Sequence, residues 1–111
     1  MRVESVLVSG DPLNNCSGSL TSLGHNLDDG HTCGLNASGD LSDTNPLLGE
    51  PGYFGGPTRT VPLLPGSPAI NHGENAGCPL TDQRGLLRVD GCDIGAFEFY
   101  AARVLLPLLL R

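Results

Sequence analysis

The sequence has no tryptophan, no lysine and a single methionine at position 1, and its aromatic residues are three Phe and two Tyr in 111. A domain of that length leaves roughly a third of its unfolded surface exposed, so this short supply of bulky side chains needs help from something other than packing. Without lysine, six arginines face twelve Asp and Glu, for a net charge of −6. Arg2, Arg59, Arg84, Arg88, Arg103 and Arg111 are scattered along the chain, whereas nucleic-acid binding needs clustered cations that release counterions from phosphates. No nucleic-acid partner is expected. Apolar runs are short as well. Residues 104–111 are Leu-rich but broken by Pro107, and a membrane-spanning helix needs about 20 apolar residues. They are read as a last strand or an apolar tail for which a partner or groove is needed, with no transmembrane span.

Helical periodicity is also missing, because no stretch of ten residues repeats apolar side chains at i, i+3, i+4 and i+7. In its place stand 16 Gly and 9 Pro, which punctuate short apolar pieces. Residues 3–8 read as a strand ending at the turn Gly10-Asp11-Pro12, with weaker pieces at 19–23 and 26–27. Residues 58–64, 69–70, 86–89 and 94–100 follow as extended segments. The run from Glu50 to Pro57 forbids regular structure, since proline fixes φ and glycine leaves it free. The predicted class is mainly β, with short strands and long ordered loops.

Cys16, Cys33, Cys78 and Cys92 lack the close couples that structural zinc sites use. Four cysteines allow three disulfide connectivities, of which loop entropy favours the two local closures, Cys16 with Cys33 and Cys78 with Cys92. Each closes a loop of about 15 residues and contributes about 3 kcal/mol. The other reading is four buried thiols in a reducing compartment. An acidic, lysine-free, Gly/Asn/Asp/Ser-rich composition favours a secreted or surface protein. The first ten residues do not form an export signal, because Glu4 interrupts a short apolar stretch and no small-residue cleavage site follows. Oxidised cysteines beside such an N-terminus lead to the expectation that the chain is the end of a longer exported protein.

Asp82, Arg84, Asp93 and Glu98 form the one dense charge constellation, with Arg84 expected to fork two carboxylates. Such acids could serve glycoside hydrolysis, but no aromatic platform accompanies them in sequence, and an internal network ordering two loops is preferred. Asp28, Asp29, Asp40 and Asp43 lack the ligand spacing of a calcium loop and are read as solvated loop acids. His25, His31 and His72 are read as loop histidines, with no Gly-x-Ser-x-Gly nearby. Gly55-Gly56 lacks the lysine and helix of a phosphate loop. No catalytic residue, cofactor or metal is expected.

The ordered motifs Asn45-Pro46-Leu47-Leu48-Gly49, Gly55-Gly56-Pro57-Thr58, residues 63–70 (Leu-Leu-Pro-Gly-Ser-Pro-Ala-Ile), Asp82-Gln83-Arg84-Gly85 and residues 92–98 (Cys-Asp-Ile-Gly-Ala-Phe-Glu) resemble the choice-of-anchor Q domain. In bacterial surface and secreted proteins that domain follows a right-handed parallel β-helix of the pectin-lyase-like kind. The resemblance covers roughly residues 14–98 and marks Asp82, Gln83, Arg84, Gly85, Asp93, Gly95, Phe97 and Glu98 as its structural motif. Three departures remove polar groups: Tyr53-Phe54 stand in place of a frequent Asp-Asn, Val61-Pro62 in place of His-Ala, and Asn71 in place of Asp.

The resemblance implies the C-terminal end, or cap, of such a β-helix. Residues 1–13 would be a remnant of the last coil, 14–98 the cap region and 99–111 the apolar Leu/Pro tail. A solenoid end leaves an unpaired strand edge and an open apolar bore, which invite aggregation unless covered. The expectation is thus a non-enzymatic capping and anchoring module at the bacterial cell surface or outside it. Its partners would be upstream coils of the same chain and the cell envelope. The alternative is a carbohydrate-binding or accessory part of a polysaccharide-active β-helix enzyme or adhesin, for which Tyr53 and Tyr100 are the candidate sugar-stacking residues.

Overall fold

A computed structural model describes residues 1–89 and 91–100. Among them there is no helix, and four two-residue strands are formed: β1 (Arg2–Val3), β2 (Leu7–Val8), β3 (Thr21–Ser22) and β4 (Leu27–Asp28). The β-rich class with long loops is therefore the observed one.

The strands pair in parallel across successive turns of the chain. β1 lies beside β3, with Val3 opposite Ser22. β2 lies beside β4, with Leu7 opposite Leu27. Leu27 then bridges onward, again in parallel, to Leu41. Leu7, Leu27 and Leu41 thus form one row running through three stacked passes of the backbone.

The single strand expected over 3–8 is two strands with a corner between them. Ser5 occupies the left-handed region at φ 56°, which breaks the extended path. The next pass repeats the corner at Gly24 and His25, with φ of 110° and 58°, and the Ser5 amide donates to the Gly24 carbonyl at 3.3 Å. Asn26 braces this corner from within. It is buried, its Oδ1 accepts from the Val6 amide at 2.8 Å, and its Nδ2 donates to the Val3 carbonyl at 3.1 Å. One amide side chain thereby supplies an acceptor to the Val6 amide and a second donor, beside Leu23, to the Val3 carbonyl.

The loops following β2 and β4 are also stacked, and Cys16 and Cys33 join them with 4.9 Å between Cα atoms. Gly30 shows how closely they approach: a Cβ there would overlap the Pro12 carbonyl. Any larger residue at position 30 would force the two loops apart.

After Leu41 the pattern changes to antiparallel. Leu48 bridges Leu63 and Gly52 bridges Thr60 in a hairpin, and Thr81 bridges Leu87 further on. The pieces expected at 58–64 and 86–89 are therefore isolated bridges, and 94–100 forms no ladder. Pro57 and Pro62 offer no amide, which limits the hairpin.

The core lies on one side of the stack, where Leu27, Leu63, Ala69 and Ile94 are buried together and Leu7, Leu41, Leu48, Ile70, Phe97 and Phe99 pack around them. Residues beyond 45 thus cover the leucine row laterally. The apolar tail at 104–111 lies outside the described residues.

Candidate functional site

Two features meet the requirements of a site: a buried ionic cluster built by residues 82–98, and the unpaired edge of the stack.

The cluster begins with a tight turn. Asp82 Oδ1 accepts from the Arg84 amide at 2.9 Å, and Gly85 takes φ +83° to complete the reversal. Arg84 then folds back, donating from Nε and Nη2 to Asp82 Oδ2 at 2.9 and 2.8 Å. Its remaining donors go to backbone carbonyls, Nη2 to Glu98 at 2.7 Å and Nη1 to Phe54 at 3.1 Å. The expected fork of two carboxylates is not what forms: Arg84 grips one carboxylate and two carbonyls. Its guanidinium also lies against aromatic rings, 3.8 Å from the centre of Phe97 and 5.7 Å from that of Tyr100. Phe97 in turn meets Phe54 edge-on at 6.0 Å.

Glu98 has a different cation. Arg88 Nη1 donates to its Oε1 at 3.0 Å, and Arg88 Nη2 donates to the Gly95 carbonyl at 3.0 Å. The Asp93 amide adds a bond to Oε1 and the Val89 amide one to Oε2, at 3.1 and 3.2 Å. Asp93 uses both its oxygens on amides, Asn71 at 2.8 Å and Phe99 at 2.6 Å. Arg88 is the member that sequence reasoning missed. Its signal was the charge count, because Asp82, Asp93 and Glu98 cannot all be balanced by Arg84 alone.

Burial and hydrogen bonding compete over these acids. Burial works to raise Asp82, but the Glu98 amide and Arg84 outweigh it and hold that carboxyl below its usual range. For Asp93 burial wins over its amide bonds and pushes the carboxyl up. Glu98 is raised too, by burial and by the nearby charge of Asp93, against the Asp93 amide and Arg88. All three are nearly inaccessible, at 6%, 2% and 1% exposure. Chemically the cluster binds together segments at 54, 71, 82–89 and 93–99.

The remaining motif residues extend the same clamp. Gln83 donates from its amide to the Ala96 carbonyl at 3.0 Å and from Nε2 to Thr58 Oγ1 at 3.0 Å. The Gly95 amide donates to the Ser5 carbonyl at 3.0 Å, tying the clamp to the corner of the first pass. A Cβ on Gly95 would press on Leu7 at 3.3 Å. Cys78 and Cys92 are joined with 6.6 Å between Cα atoms, so both disulfides follow the local connectivity and leave no free cysteine. Two such bonds fit a protein that matures in an oxidising compartment.

Three of the acids read as solvated are structural ligands of the backbone. Asp28 is fully buried and accepts from the Gly30 and Cys33 amides and from Asn15 Nδ2, at 2.9, 3.1 and 2.8 Å. Asp40 accepts from the Ser22 hydroxyl and from the Asn26 and Ala37 amides. Asp29 accepts from Ser9, Gly10 and Asn15. Asp28 is thereby closed off from solvent, while Asp29 and Asp40 are half-buried; Asp43 stays exposed beside His31. Among the described residues no group of three or more His, Cys, Asp or Glu is placed to hold a metal ion. No helix among them is long and apolar enough to cross a membrane.

The second feature is an open edge. Among the described residues β1 pairs only with β3 and β2 only with β4. The Met1 and Val3 carbonyls accept from Thr21 and Leu23, and those of Val6 and Val8 from Leu27 and Asp29. Alternation along an extended chain therefore turns the polar backbone groups of Arg2 and Leu7 toward the opposite, unpaired side. An apolar cavity of about 270 Å³ lies between the first and second passes, lined by Met1, Val3, Val6, Val8, Leu20 and Leu35.

Comparison with family models, with curated proteins and with solved structures found no match.

Proposed function

We propose that the chain is a non-enzymatic capping and surface-anchoring module of an exported bacterial β-helix protein, of the choice-of-anchor Q kind. The observation that carries this reading is the asymmetry of the parallel stack. Among the described residues one edge, at β1 and β2, is unpaired. In the other direction the parallel row stops at Leu41, and the chain turns into an antiparallel hairpin. An unpaired edge of this type is a template for one more strand, and further coils of the same polypeptide are the natural occupants.

The ionic cluster supports a structural role. Its carboxylates are occupied by internal amides and arginines, so their work is to hold loops where apolar residues are few. The anchoring role, the bacterial surface and an envelope partner rest on the motif resemblance together with the two disulfides.

Reading the genomic frame upstream of the Met1 codon tests this. The reading expects an open frame that runs into short repeated strands and an export signal. A stop codon immediately upstream would remove the capping role. A carbohydrate-binding reading is favoured by one observation, the 70% exposure of Tyr53 beside Phe54 at the hairpin tip. It requires glycan binding that Tyr53→Ala abolishes.

A further inference from the structure

We infer that a second cavity, where β2 faces the 48–63 hairpin and residues 94–97, is a binding site for a small neutral molecule with an apolar body and one hydroxyl or carbonyl oxygen, which Thr60 receives. This site owes nothing to the capping reading.

The cavity measures about 340 Å³. Leu7, Leu48, Leu63, Ile94 and Phe97 give it apolar walls, and apart from Leu7 and Ser9 the lining comes from residues 48–97. Small-molecule sites are mostly apolar, with a few placed polar groups that fix orientation. A cavity of about 150 Å³ takes one benzene ring, so this one has room for a substituted ring.

Thr60 is the polar group in the wall that has no other task. It lines the cavity at 5% exposure, and its hydroxyl has no hydrogen-bond partner among the described residues. Its amide and carbonyl are both bonded to Gly52, at 2.8 and 2.9 Å, so the hydroxyl is not needed by its own backbone. A valine would fill the same space without stranding a polar atom. An oxygen of a bound molecule satisfies that hydroxyl.

The remaining polar side chains set the charge of the occupant. Ser9 Oγ donates to Asp29, Gln83 Nε2 to Thr58 and Arg59 Nη2 to the Pro51 carbonyl. Among the described residues no carboxylate lines the cavity, so a cation would find no counter-charge there. An anion would meet only Arg59, which is turned to Pro51. An ion that gives up its hydration without a partner is disfavoured, and a neutral molecule is selected.

The test is a titration of the oxidised, isotope-labelled 111-residue protein with cyclohexanol, followed by amide chemical shifts. Saturable shifts are expected at residues 7, 60, 63 and 94–97. Thr60→Val should weaken binding about tenfold, the loss of one hydrogen bond, while its urea midpoint stays at or above that of the wild type. Thr60→Ser should keep the affinity. Cyclohexanecarboxylate and cyclohexylammonium should each bind about tenfold more weakly than cyclohexanol. Shifts that do not saturate, or that fall away from these residues, overturn the inference. Undiminished binding by a folded Thr60→Val, or tighter binding of either ion, overturns it as well. The capping reading is untouched by such a failure, because it depends on the upstream frame.

Discussion

The guanidinium carbon of Arg84 lies 3.8 Å from the centre of the Phe97 ring while its Nε and Nη2 both donate to Asp82. Charge, hydrogen bonding and aromatic contact converge on one side chain, which touches segments that the chain reaches at residues 54, 82 and 98. Lysine can supply the charge but not the planar fork.

Arg84→Lys is therefore expected to destabilise the fold by about 2 kcal/mol, and Arg84→Ala by about 3–5 kcal/mol, since the latter leaves Asp82 buried without its cation. Against a total of about 5–10 kcal/mol for a domain of this size, the alanine variant should be largely unfolded at 37 °C. Urea denaturation followed by circular dichroism measures both, and equal losses for the two variants would contradict the geometric role.

A second expectation concerns pH. The raised carboxyls of Asp93 and Glu98 mean that the folded state binds protons more readily than the unfolded chain, so stability should rise as pH falls toward their ordinary values of 3.8 and 4.5. The lowered carboxyls of Asp82, Asp40 and Asp29 act in the opposite sense. Their contribution is present above 3.8 and is lost as pH falls below it. Thermal melts from pH 3 to 8 should pass through a maximum on the mildly acidic side. A Tm that falls steadily from pH 7 downward would show that Asp93 and Glu98 do not behave as their burial requires.

Asn26 offers the cleanest test of the corner between β1 and β2. Asn26→Ala removes the acceptor for the Val6 amide and one of the two donors to the Val3 carbonyl, whose bond from Leu23 stays, so that the Val6 amide is left unpaired at a cost of about 1–3 kcal/mol. Asn26→Asp keeps the acceptor but loses the donor, and sets a second carboxylate against Asp40, whose Oδ1 lies 3.3 Å from Asn26 Nδ2. The aspartate variant should thus be the less stable at pH 7 and should recover part of the difference at pH 4. Urea midpoints at the two pH values measure this, and a difference between the two variants that does not narrow at pH 4 would remove Asp40 from the account.

Removing the Cys16–Cys33 bridge by paired serine substitution should cost about 3 kcal/mol, as should removing Cys78–Cys92, from the entropy of loops of this length. The protein reduced at both should be unfolded in buffer. Near-ultraviolet circular dichroism with and without a reducing agent checks this, and a native spectrum after full reduction would show that packing alone suffices.

Much of this was legible in the sequence. The absence of helical periodicity, the spacing of the cysteines and the acid-rich run after Asp82 led to a β-rich, doubly stapled fold with an internal ionic network. The parallel register was not. Leu7, Leu27 and Leu41 stand at unequal intervals, so no repeat reveals that they stack, and two-residue strands are too short for alternation to show. The corner at Ser5 was hidden because serine rarely adopts positive φ; bonds to Gly24, Glu74 and Gly95, all distant in sequence, hold it there. Asp28 and Asp40 looked like solvated loop acids because their partners are backbone amides, which sequence does not display.

The central claim is the parallel stack with its free edge, and nuclear Overhauser contacts in the labelled 111-residue protein test it most directly. The account predicts cross-strand contacts of Val6 and Leu7 with Leu27, and of Leu27 with Leu41, in the pattern of parallel strands. Contacts in antiparallel order along 2–8 and 21–28, or none between Leu27 and Leu41, would contradict it.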